Sequence, residues 1–420
     1  MDPKKVLVVG SGAREHCIIW KIKQSPLLDC VYTTNKNFEE FATYIDIDLE
    51  NHFLLAHACK ERKIDLVVIG QENYLAAGMS DVLRSEGINV FGPSKNATKL
   101  ESSKFFAKEL CKAYSIPTAQ YGHFTQQEEA EKYIEEVGAP LVVKADGLAS
   151  GKGVFICKSK EEAKAAAEEL LVKKRFGQSG ASIIIEEFLD GKELSYFALI
   201  DQNTVLPLAH ARDHKQITKD GKIYNTGGMG AFSPVEIEEE TEKQIMRQII
   251  YPTVNGMLSL NVPYTGVLFV GIMLTKSGPK VLEYNVRFGD PETQAILPRL
   301  KTDLLDLMLK TTESNLRKAK IELHDCYCLS LVIANNGYPL GYNTGSVIEN
   351  TDKAIAQVED LKIFNAGMSK DAKGNILSDG GRVMNLVATG KNLEECKKNV
   401  YKAAKIIDWK DGFYIKDIGE

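Results

Sequence analysis

The sequence lacks several features that mark common classes of protein. Its eight cysteines are scattered, no C-x-x-C pair occurs, and the closest two, Cys326 and Cys328, are alternate residues of a predicted strand. Such a pair is poorly placed to form a bridge, so we expect free thiols and a reducing compartment. No H-E-x-x-H motif and no Ser/His/Asp or Cys/His arrangement stands out, which gives no support to a hydrolase of those kinds.

Basic charge and long apolar runs are also missing. The net charge is −5, whereas a nucleic-acid-binding chain normally shows a basic domain. No apolar stretch reaches the length that spans a membrane, and the first apolar run is too short for a secretion signal. We therefore predict a cytoplasmic protein with neither nucleic acid nor a membrane as a partner. Its expected state is a monomer or a weak dimer.

The composition is that of an ordinary globular chain, with 44% hydrophobic and 26% charged residues. A length of 420 residues predicts about three domains. Strands and helices alternate through residues 1–100, a pattern typical of a parallel sheet covered by helices. Residues 119–200 indicate a small α+β lobe that presents a glycine-rich hairpin, and from residue 326 the chain is mostly strands until a final helix.

The glycine-rich hairpin, V-V-K-A-D-G-L-A-S-G-K-G-V at residues 142–154, has the composition of a phosphate-binding loop. It is not a P-loop, because three residues rather than four separate its first two glycines and because glycine follows Lys152. Lys144 and Lys152 bracket backbone amides that could fold over a triphosphate and supply positive charge during phosphoryl transfer. The alternative is a solvated hairpin tip, which leaves Lys144 unexplained inside an apolar strand.

A second glycine-rich turn, Gly10-Ser-Gly12-Ala-Arg14-Glu15, follows the first strand and opens a helix. Its third small position is Glu15, which departs from the dinucleotide-binding fingerprint. Free amides at such a helix start attract anions, so we favour a sugar phosphate or a related substrate here. Dinucleotide binding and a purely structural turn stay open.

Two adjacent acids, Glu186 and Glu187, close an apolar strand. Only one of them can face a given cleft, because successive strand residues point to opposite faces. An acid at this strand end suits an adenine amine, and Glu193 nearby suits ribose hydroxyls. Ordinary solvation of a sheet edge is the alternative.

Glu283, Asn285 and Arg287 fall on one face of a later predicted strand, and Asp290 and Glu292 follow in the next turn. A carboxylate and an amide oxygen side by side are hard ligands that suit magnesium, which takes water and phosphate oxygens as its other ligands. Arg287 on the same face could steady a developing acyl phosphate. The alternative, a solvated outer face of a half-buried strand, is weakened by the two further acids.

With these motifs the chain resembles the phosphoribosylamine–glycine ligase (glycinamide ribonucleotide synthetase) family, which has the ATP-grasp fold. The resemblance covers nearly the whole chain and rests on the blocks V-L-V-V-G-S-G-A-R-E-H, K-A-D-G-L-A-S-G-K-G-V, I-E-E-F-L-D-G-K-E, N-T-G-G-M-G-A-F-S-P, Y-P-T-V-N-G-M, Y-T-G-V-L-F-V-G and E-Y-N-V-R-F-G-D-P-E-T-Q. It implies an α/β and α+β fold with a Rossmann-like domain over residues 1–100 and a two-lobed ATP-clamping core over residues 101–325. The core includes the lid lobe over residues 119–200, and a small β-rich domain follows over residues 326–420.

The resemblance also implies a role for each candidate residue. The residues that would hold ATP are Lys104, Lys144, Gly151, Lys152, Gly153, Glu186, Glu187, Phe188, Leu189 and Glu193. Magnesium or manganese would be held by Glu283 and Asn285. The residues near the two other substrates would be Gly10, Gly12, Arg14, Glu15, Glu72, Asp213, Asn225, Arg287, Asp290 and Arg382, and those taking part in catalysis would be Arg287, Asp213 and Lys144.

The implied reaction joins glycine to 5-phosphoribosylamine with cleavage of ATP, giving glycinamide ribonucleotide, ADP and phosphate in the second step of de novo purine synthesis. Glycine's carboxylate would attack the γ-phosphate, and the amine would displace phosphate from glycyl phosphate. Three other functions stay open. They are a sister ATP-grasp ligase that uses formate or bicarbonate, a nicotinamide oxidoreductase, and a nucleotide-binding module without activity.

The chain departs from the usual pattern of the family at residues 33–38, 70–75, 216, 223–224 and 415. Gln216 stands where arginine is usual, Ile223-Tyr224 where glycine-proline is usual, and Ile415 where arginine is usual. These positions lie on the amine-substrate side or near the far terminus, whereas the ATP blocks are intact.

Overall fold

The computed structural model describes residues 2–149, 151–219 and 222–419, so Ser150 of the glycine-rich hairpin lies outside the described residues. The first unit is a parallel sheet with helices packed against it. Its strands are β1 (Lys4–Val9), β2 (Leu28–Thr33), β3 (Thr43–Tyr44), β4 (Leu66–Ile69) and β5 (Val90–Phe91), and its helices are α1 (Ala13–Ile22), α2 (His52–Arg62), α3 (Glu72–Ala77) and α4 (Met79–Ser85). The strand order is β3-β2-β1-β4-β5.

Strand β1 lies at the middle of this sheet and is buried on both faces. Leu7 and Val9 pack into one hydrophobic cluster, whereas Val6 and Val8 pack into another. Parallel strands that are covered on both faces carry continuous apolar runs rather than an alternating pattern. The run therefore predicts the strand, whose carboxyl end leads directly into the turn at Gly10.

The second unit is the lid lobe, an antiparallel sheet with two helices against it. Two helices, α5 (Lys99–Ser102) and α6 (Lys104–Ala113), precede this lobe in the chain. The elements of the lobe are β6 (Tyr121–Phe124), α7 (Gln127–Val137), β7 (Leu141–Ala145), β8 (Val154–Cys157), α8 (Lys160–Leu171) and β9 (Ile183–Glu187). The strand order is β6-β9-β7-β8. Alanines and leucines of α8 pack with Ile134 of α7 over the sheet. The β7–β8 hairpin presents the glycine-rich loop, as the sequence predicts.

The rest of the chain forms a long sheet and smaller elements around it. The strands are β10 (Lys192–Asp201), β11 (Val205–Asp213), β12 (Gln216–Lys219), β13 (Lys222–Asn225), β14 (Gly230–Ser233), β15 (Thr265–Thr275), β16 (Gly278–Asn285), β17 (Tyr327–Asn335), β18 (Val347–Ile348), β19 (Lys362–Asn365), β20 (Met368–Lys370), β21 (Ile376–Ser378), β22 (Arg382–Gly390) and β23 (Gly412–Phe413). The helices are α9 (Glu239–Ile245), α10 (Tyr251–Ser259), α11 (Glu292–Ile296), α12 (Leu304–Thr312), α13 (Thr351–Gln357) and α14 (Leu393–Ile406).

The long sheet has the order β16-β15-β10-β11-β14-β17-β22-β19 and continues across residue 326, because β14 pairs with β17. Strand β10 pairs with β11 and β15 in this sheet, so the sheet of the lid lobe ends at Glu187, before the expected limit at residue 200. Strands β12 and β13 form a separate two-stranded sheet, and β18-β21-β20 form a small sheet. Within the described residues, no helix has both the length and the apolar character needed to cross a membrane.

Candidate active site

Glu186 lies between two lysine side chains, where β9, β7 and α6 meet. Lys144 Nζ donates to Glu186 Oε2 at 3.0 Å, and Lys108 Nζ lies 3.3 Å from Glu186 Oε1. All three side chains are buried, and Glu186 is only 2% exposed. Lys108 is not among the residues that the sequence predicts for the site. The signal for it is its position four residues after Lys104 on α6, because residues at this spacing lie on one helix face.

Lys104 begins helix α6 and points to the start of the glycine-rich loop. Its Nζ donates to the carbonyl of Gly147 at 3.2 Å, and burial lowers its pKa. Asp146, which the sequence analysis missed, fixes the loop to the helix start. Its carboxylate accepts hydrogen bonds from Ser103 Oγ at 3.2 Å, Phe105 N at 2.8 Å and Ser182 Oγ at 3.0 Å.

The glycine-rich loop lies against the segment that follows β13. The carbonyl of Gly153 accepts the amide of the last β7 residue at 2.8 Å and so closes the hairpin. Gly151 has a φ of +73°, and a Cβ there would lie 3.2 Å from the carbonyl oxygen of Thr226. Both the backbone conformation and the close approach favour glycine at this position. Lys152 Nζ lies 6.0 Å from the centre of the Tyr338 ring.

The residues at the end of β9 point in different directions. Glu187 turns away from the two lysines, and its Oε1 accepts from Lys280 Nζ at 3.1 Å. Phe188 is 41% exposed, whereas Leu189 is buried. Only one of the two adjacent acids therefore faces the lysines, as the alternation along a strand predicts.

Lys215 lies between Glu193, the acid predicted to bind ribose, and Glu283, the acid predicted to bind the metal. Its Nζ lies 3.0 Å from Glu283 Oε1 and 3.8 Å from Glu193 Oε2. The positive charge of Lys215 lowers the pKa of Glu283 to about 2. Lys215 is also not among the site residues that the sequence predicts, although it stands in the D-H-K block beside Asp213.

Glu283 and Asn285 lie on one face of β16, opposite Gly271 and Phe269 of β15. Asn285 is buried, and its amide nitrogen has no hydrogen-bond partner in the described part of the chain. A buried, unpartnered amide beside a carboxylate fits a polar ligand that enters between them. Within the described residues, no group of three or more His, Cys, Asp or Glu side chains is placed to hold a metal ion. A magnesium ion at this pair would therefore need water or phosphate oxygens as further ligands.

Arg287 lies between two carboxylates just beyond the end of β16. Its Nε donates to Glu72 Oε2 at 3.1 Å, and its Nη2 donates to Glu101 Oε1 at 2.8 Å. Burial raises the pKa of Glu101 to about 7. Burial also acts to raise the pKa of Glu72, but the charges of Arg287 and Arg14 together with hydrogen bonds to the carboxylate lower it to about 2. The sequence predicts Arg287 and Glu72 and misses Glu101, whose position on α5 gives no separate signal.

Glu15 fills the space beneath the turn at Gly10. Its carboxylate is fully buried, accepts Gly12 N at 2.7 Å and accepts Arg14 Nε at 2.6 Å. A Cβ at Gly10 would lie 2.7 Å from Glu15 Cγ, so glycine is required there. The amide of Arg14 donates to Asp290 Oδ2 at 3.4 Å. The expectation of free amides at this helix start is therefore wrong for Gly12 and Arg14, because carboxylates of the chain itself accept them.

Arg382 joins two loops near this turn. Its Nη1 donates to the carbonyls of Gly227 and Asp290, both at 2.7 Å. Asn225, the last residue of β13 and two residues before Gly227, donates from Nδ2 to the carbonyl of Val154 at 2.8 Å. Arg382 thus holds the loop after β13 on one side, and Asn225 ties that loop to lid strand β8.

Asp213, at the end of β11, has a buried Oδ1 that lacks a hydrogen-bond partner among the described residues. Burial raises the pKa of Asp213 well above its usual value, and the carboxylate of Glu292 raises it further. Glu292 is itself buried and accepts Ser195 Oγ at 3.1 Å. Two acids with raised pKa values therefore lie close to each other beside Lys215 and Arg382.

Three family models match the chain in succession. They are the phosphoribosylglycinamide synthetase N domain at residues 4–101, its ATP-grasp (A) domain at residues 102–293 and its C domain at residues 328–420. The chain belongs to the phosphoribosylglycinamide synthetase family. The family and the ATP-grasp fold that the sequence predicts are thereby confirmed.

Curated relatives and a solved structure in this family are similar over the full length. A phosphoribosylamine–glycine ligase of Brucella melitensis is 44% identical over 419 residues, which cover 99% of this chain and 97% of the relative. The ligase of Escherichia coli O157:H7 is 42% identical, with 99% and 98% covered. The crystal structure of the Thermotoga maritima ligase has a TM-score of 0.82 and 31% identity, and covers 98% of this chain and 99% of its own.

A more distant structure shares the fold alone. The biotin carboxylase domain of Hydrogenobacter thermophilus 2-oxoglutarate carboxylase, solved with MgADP, ADP and bicarbonate, has a TM-score of 0.73 at 16% identity. It covers 98% of this chain and 92% of its own. This likeness concerns the fold alone, because one fold can carry many different activities.

Proposed function

We propose that the protein is the ADP-forming ligase that joins glycine to 5-phosphoribosylamine through glycyl phosphate, giving glycinamide ribonucleotide. The observation that carries the proposal is full-length membership of a family whose similar relatives are named for this ligase, together with a charged site of the kind that such a reaction needs. Membership supports the use of ATP. The choice of magnesium or manganese, the cytoplasmic location, the monomeric or weakly dimeric state and the domain limits at residues 100 and 325 belong to the proposal.

ATP binds between the lid lobe and the long sheet in this proposal. Lys104 and Lys144 contact its phosphates, Glu186 contacts the adenine amine and Glu193 contacts the ribose. The contacts of Lys144 and Lys108 with Glu186 support these roles, because they orient a buried acid and a buried cation side by side at the lid hairpin. In this proposal, lid closure brings Lys152 of the glycine-rich loop to the triphosphate as a further cation.

A divalent ion bound at Glu283 and Asn285 would neutralise phosphate charge during the transfer. The chain's own contribution is to keep both groups poised. Lys215 holds Glu283 in position with its pKa near 2, so the carboxylate is ionised at neutral pH. The unpartnered Nδ2 of Asn285 could donate a hydrogen bond to a phosphate oxygen while its Oδ1 faces the ion.

In the first chemical step an oxygen of glycine's carboxylate forms a bond to the γ-phosphorus, and the bond to the ADP oxygen breaks. In the second step the nitrogen of phosphoribosylamine bonds to the carbonyl carbon, phosphate leaves and the nitrogen loses a proton. Arg287 has a guanidinium fixed by Glu72 and Glu101, and such preorganised charge stabilises an acyl phosphate without reorganisation. Asp213, with its raised pKa and unpartnered Oδ1, faces the amino group of glycine in this proposal.

The test is an ADP-release assay with substrates added singly and together. Glycine and phosphoribosylamine together should release one ADP and one phosphate per amide, and mass spectrometry should identify glycinamide ribonucleotide. Omission of either substrate is the matched control. ADP release driven by formate or bicarbonate in place of glycine would contradict the proposal and favour a sister ATP-grasp ligase. Reduction or oxidation of a nicotinamide cofactor would favour an oxidoreductase.

A further inference from the structure

The loop after β13 lies between the lid and the C-terminal part of the chain. On the lid side, Asn225 Nδ2 donates to the carbonyl of Val154 at 2.8 Å, and Thr226 lies against Gly151. On the other side, the amide of Gly227 donates to Tyr338 Oη at 3.0 Å. A lid movement therefore cannot be independent of this loop, because the two share direct contacts at consecutive residues.

Tyr338 touches the lid as well as the loop. Its ring centre lies 6.0 Å from Lys152 Nζ, within the range of a cation–π attraction. The carbonyl of Gly227 accepts Arg382 Nη1 at 2.7 Å, so both polar groups of this one glycine are held by the C-terminal part of the chain. One tyrosine thus holds the loop through its hydroxyl and attracts the lid lysine through its ring.

The side chain of Tyr338 is itself held by hydrophobic packing. Tyr338 is 7% exposed and belongs to a hydrophobic cluster with Ile217, Met229, Val332 and Ala334. Side chains that are packed in this way have little rotamer freedom, so the hydroxyl position is well defined. Three partly buried side chains pack against the same cluster, namely Tyr224, Phe413 and Ile415.

Two of those side chains are departures from the usual pattern of the family. Tyr224 and Ile415 lie in different parts of the chain, on β13 and after β23, yet both pack against the hydrophobic cluster that contains Tyr338. Both side chains are partly buried against the hydrophobic cluster, and the burial of their apolar surface stabilises it. Tyr224 and Ile415 therefore pack against the cluster that holds the Tyr338 ring and do not bind its hydroxyl.

We propose that Tyr338 is a positioning residue that holds the lid closed over the acyl phosphate and so couples ATP cleavage to amide formation. The proposal rests on the proposed function. An acyl phosphate that is exposed to water is lost when a water oxygen bonds to its carbonyl carbon and phosphate leaves. Glycine is then regenerated, and the net reaction is hydrolysis of ATP to ADP and phosphate. A lid that stays closed prevents this loss.

The first experiment measures the ratio of phosphate released to amide formed at saturating glycine and phosphoribosylamine. Tyr338→Phe removes the acceptor for Gly227 N and keeps the ring, whereas Tyr338→Leu removes both. We expect the uncoupled part, which is the phosphate released in excess of amide formed, to be between about twofold and tenfold larger in Tyr338→Phe than in the wild type, the range that the loss of one hydrogen bond gives. The ratio should rise further in Tyr338→Leu, while the KM for ATP changes less than twofold.

Tyr342→Phe is the matched control, because this ring lies 6.4 Å from that of Tyr338 and is 40% exposed. Its ratio should stay at one. A ratio of one in both Tyr338 variants, at an unchanged melting temperature, would overturn the proposal. If Tyr338→Leu does not fold, Tyr338→Phe alone decides.

The second experiment needs no turnover and separates this proposal from the proposed function. Trypsin cuts a backbone that can open locally, so opening of the lid hairpin should speed cutting after the exposed Lys152, and the exposed Lys158 serves as an internal reference site. With a non-hydrolysable ATP analogue bound, Tyr338→Phe should be cut after Lys152 between about twofold and tenfold faster than the wild type, whereas Tyr342→Phe should match the wild type. Equal rates at Lys152 in all three proteins would overturn the role of Tyr338 even if the ligase reaction is demonstrated. If cutting is faster in Tyr338→Phe but no amide is formed by the wild type, the role of Tyr338 in holding the lid is supported and the proposed ligase reaction is contradicted.

Discussion

Lys144 donates to Glu186 across two neighbouring strands of the lid lobe, with 3.0 Å between Nζ and Oε2. Both side chains are buried, and Lys108 reaches the other oxygen of the same acid. A buried charge is tolerated when partners of opposite sign surround it, and removing one partner leaves an uncompensated charge. The contact therefore fixes the positions of Lys144 and Glu186 at the start of the lid hairpin.

Removing Lys144 should disable ATP turnover while leaving the fold intact. We expect Lys144→Met to lower kcat/KM for ATP by about 100-fold or more, because it removes the cation proposed to contact phosphate and one partner of Glu186. Steady-state kinetics with circular dichroism as a fold check would measure this. Normal turnover with an unchanged KM for ATP would mean that Lys144 has only a structural role.

Removing Lys108 should have a smaller effect that is confined to nucleotide binding. Lys108→Met leaves Glu186 with Lys144 alone, so we expect the KM for ATP to rise about 5- to 10-fold with little change in kcat. Lys112→Met, at the exposed end of the same helix, is the matched control and should behave as the wild type. Equal kinetics for the two variants would show that Lys108 does not orient Glu186.

The metal pair predicts a shift in the magnesium requirement. Glu283→Gln and Asn285→Leu should each raise the magnesium concentration at half-maximal activity by about tenfold, because the first removes the negative charge and the second the amide oxygen that are proposed to bind the ion. Titrating magnesium at saturating ATP measures the shift, and Glu239→Gln, at an exposed helix position, is the control. If the titration curves of both variants overlay that of the wild type, this face of β16 does not bind the metal.

Arg382 should matter for the amine substrate more than for ATP. Arg382→Ala removes the clamp on Gly227 and Asp290 and a charge that can reach a phosphate. We expect phosphoribosylamine to bind at least tenfold more weakly while the Kd of ATP changes less than twofold, as measured by calorimetry and kinetics. Arg317→Ala, at an exposed position, is the control. Equal weakening for ATP and the amine would contradict a specific role at the amine.

The pKa of Glu283 predicts how stability changes with pH. Its folded-state pKa of about 2 lies below the usual 4.5, so the carboxylate contributes stability above pH 4.5 and loses it as the pH falls towards 2. The difference in free energy of unfolding between the wild type and Glu283→Gln should therefore be largest at neutral pH and should shrink between pH 4.5 and 2. Guanidinium unfolding in the presence of a chelator measures it, with Glu239→Gln as the control. A difference that stays constant over this range would contradict the ion pair with Lys215.

Local patterns in the sequence determined the elements and the motifs of this protein. The apolar run before Gly10 predicts β1, and the two strands around the glycine-rich loop predict the lid hairpin, because burial pattern and turn residues act over a few positions. The adjacent acids at the end of β9 face different sides, as the strand period requires. The motif blocks were sufficient to predict the family and the fold, both of which the comparisons confirm.

Only the tertiary structure decided which charges meet. Arg287 pairs with Glu101 across 186 residues, and Lys144 pairs with Glu186 across 42, so no local spacing identifies either partner. Glu15 illustrates the same limit, since the sequence marks it as a departure and only packing shows that it fills the space beneath Gly10. The physical reason is that strand and helix patterns set the direction of a side chain, whereas a buried charge takes whichever opposite charge the packing brings within reach.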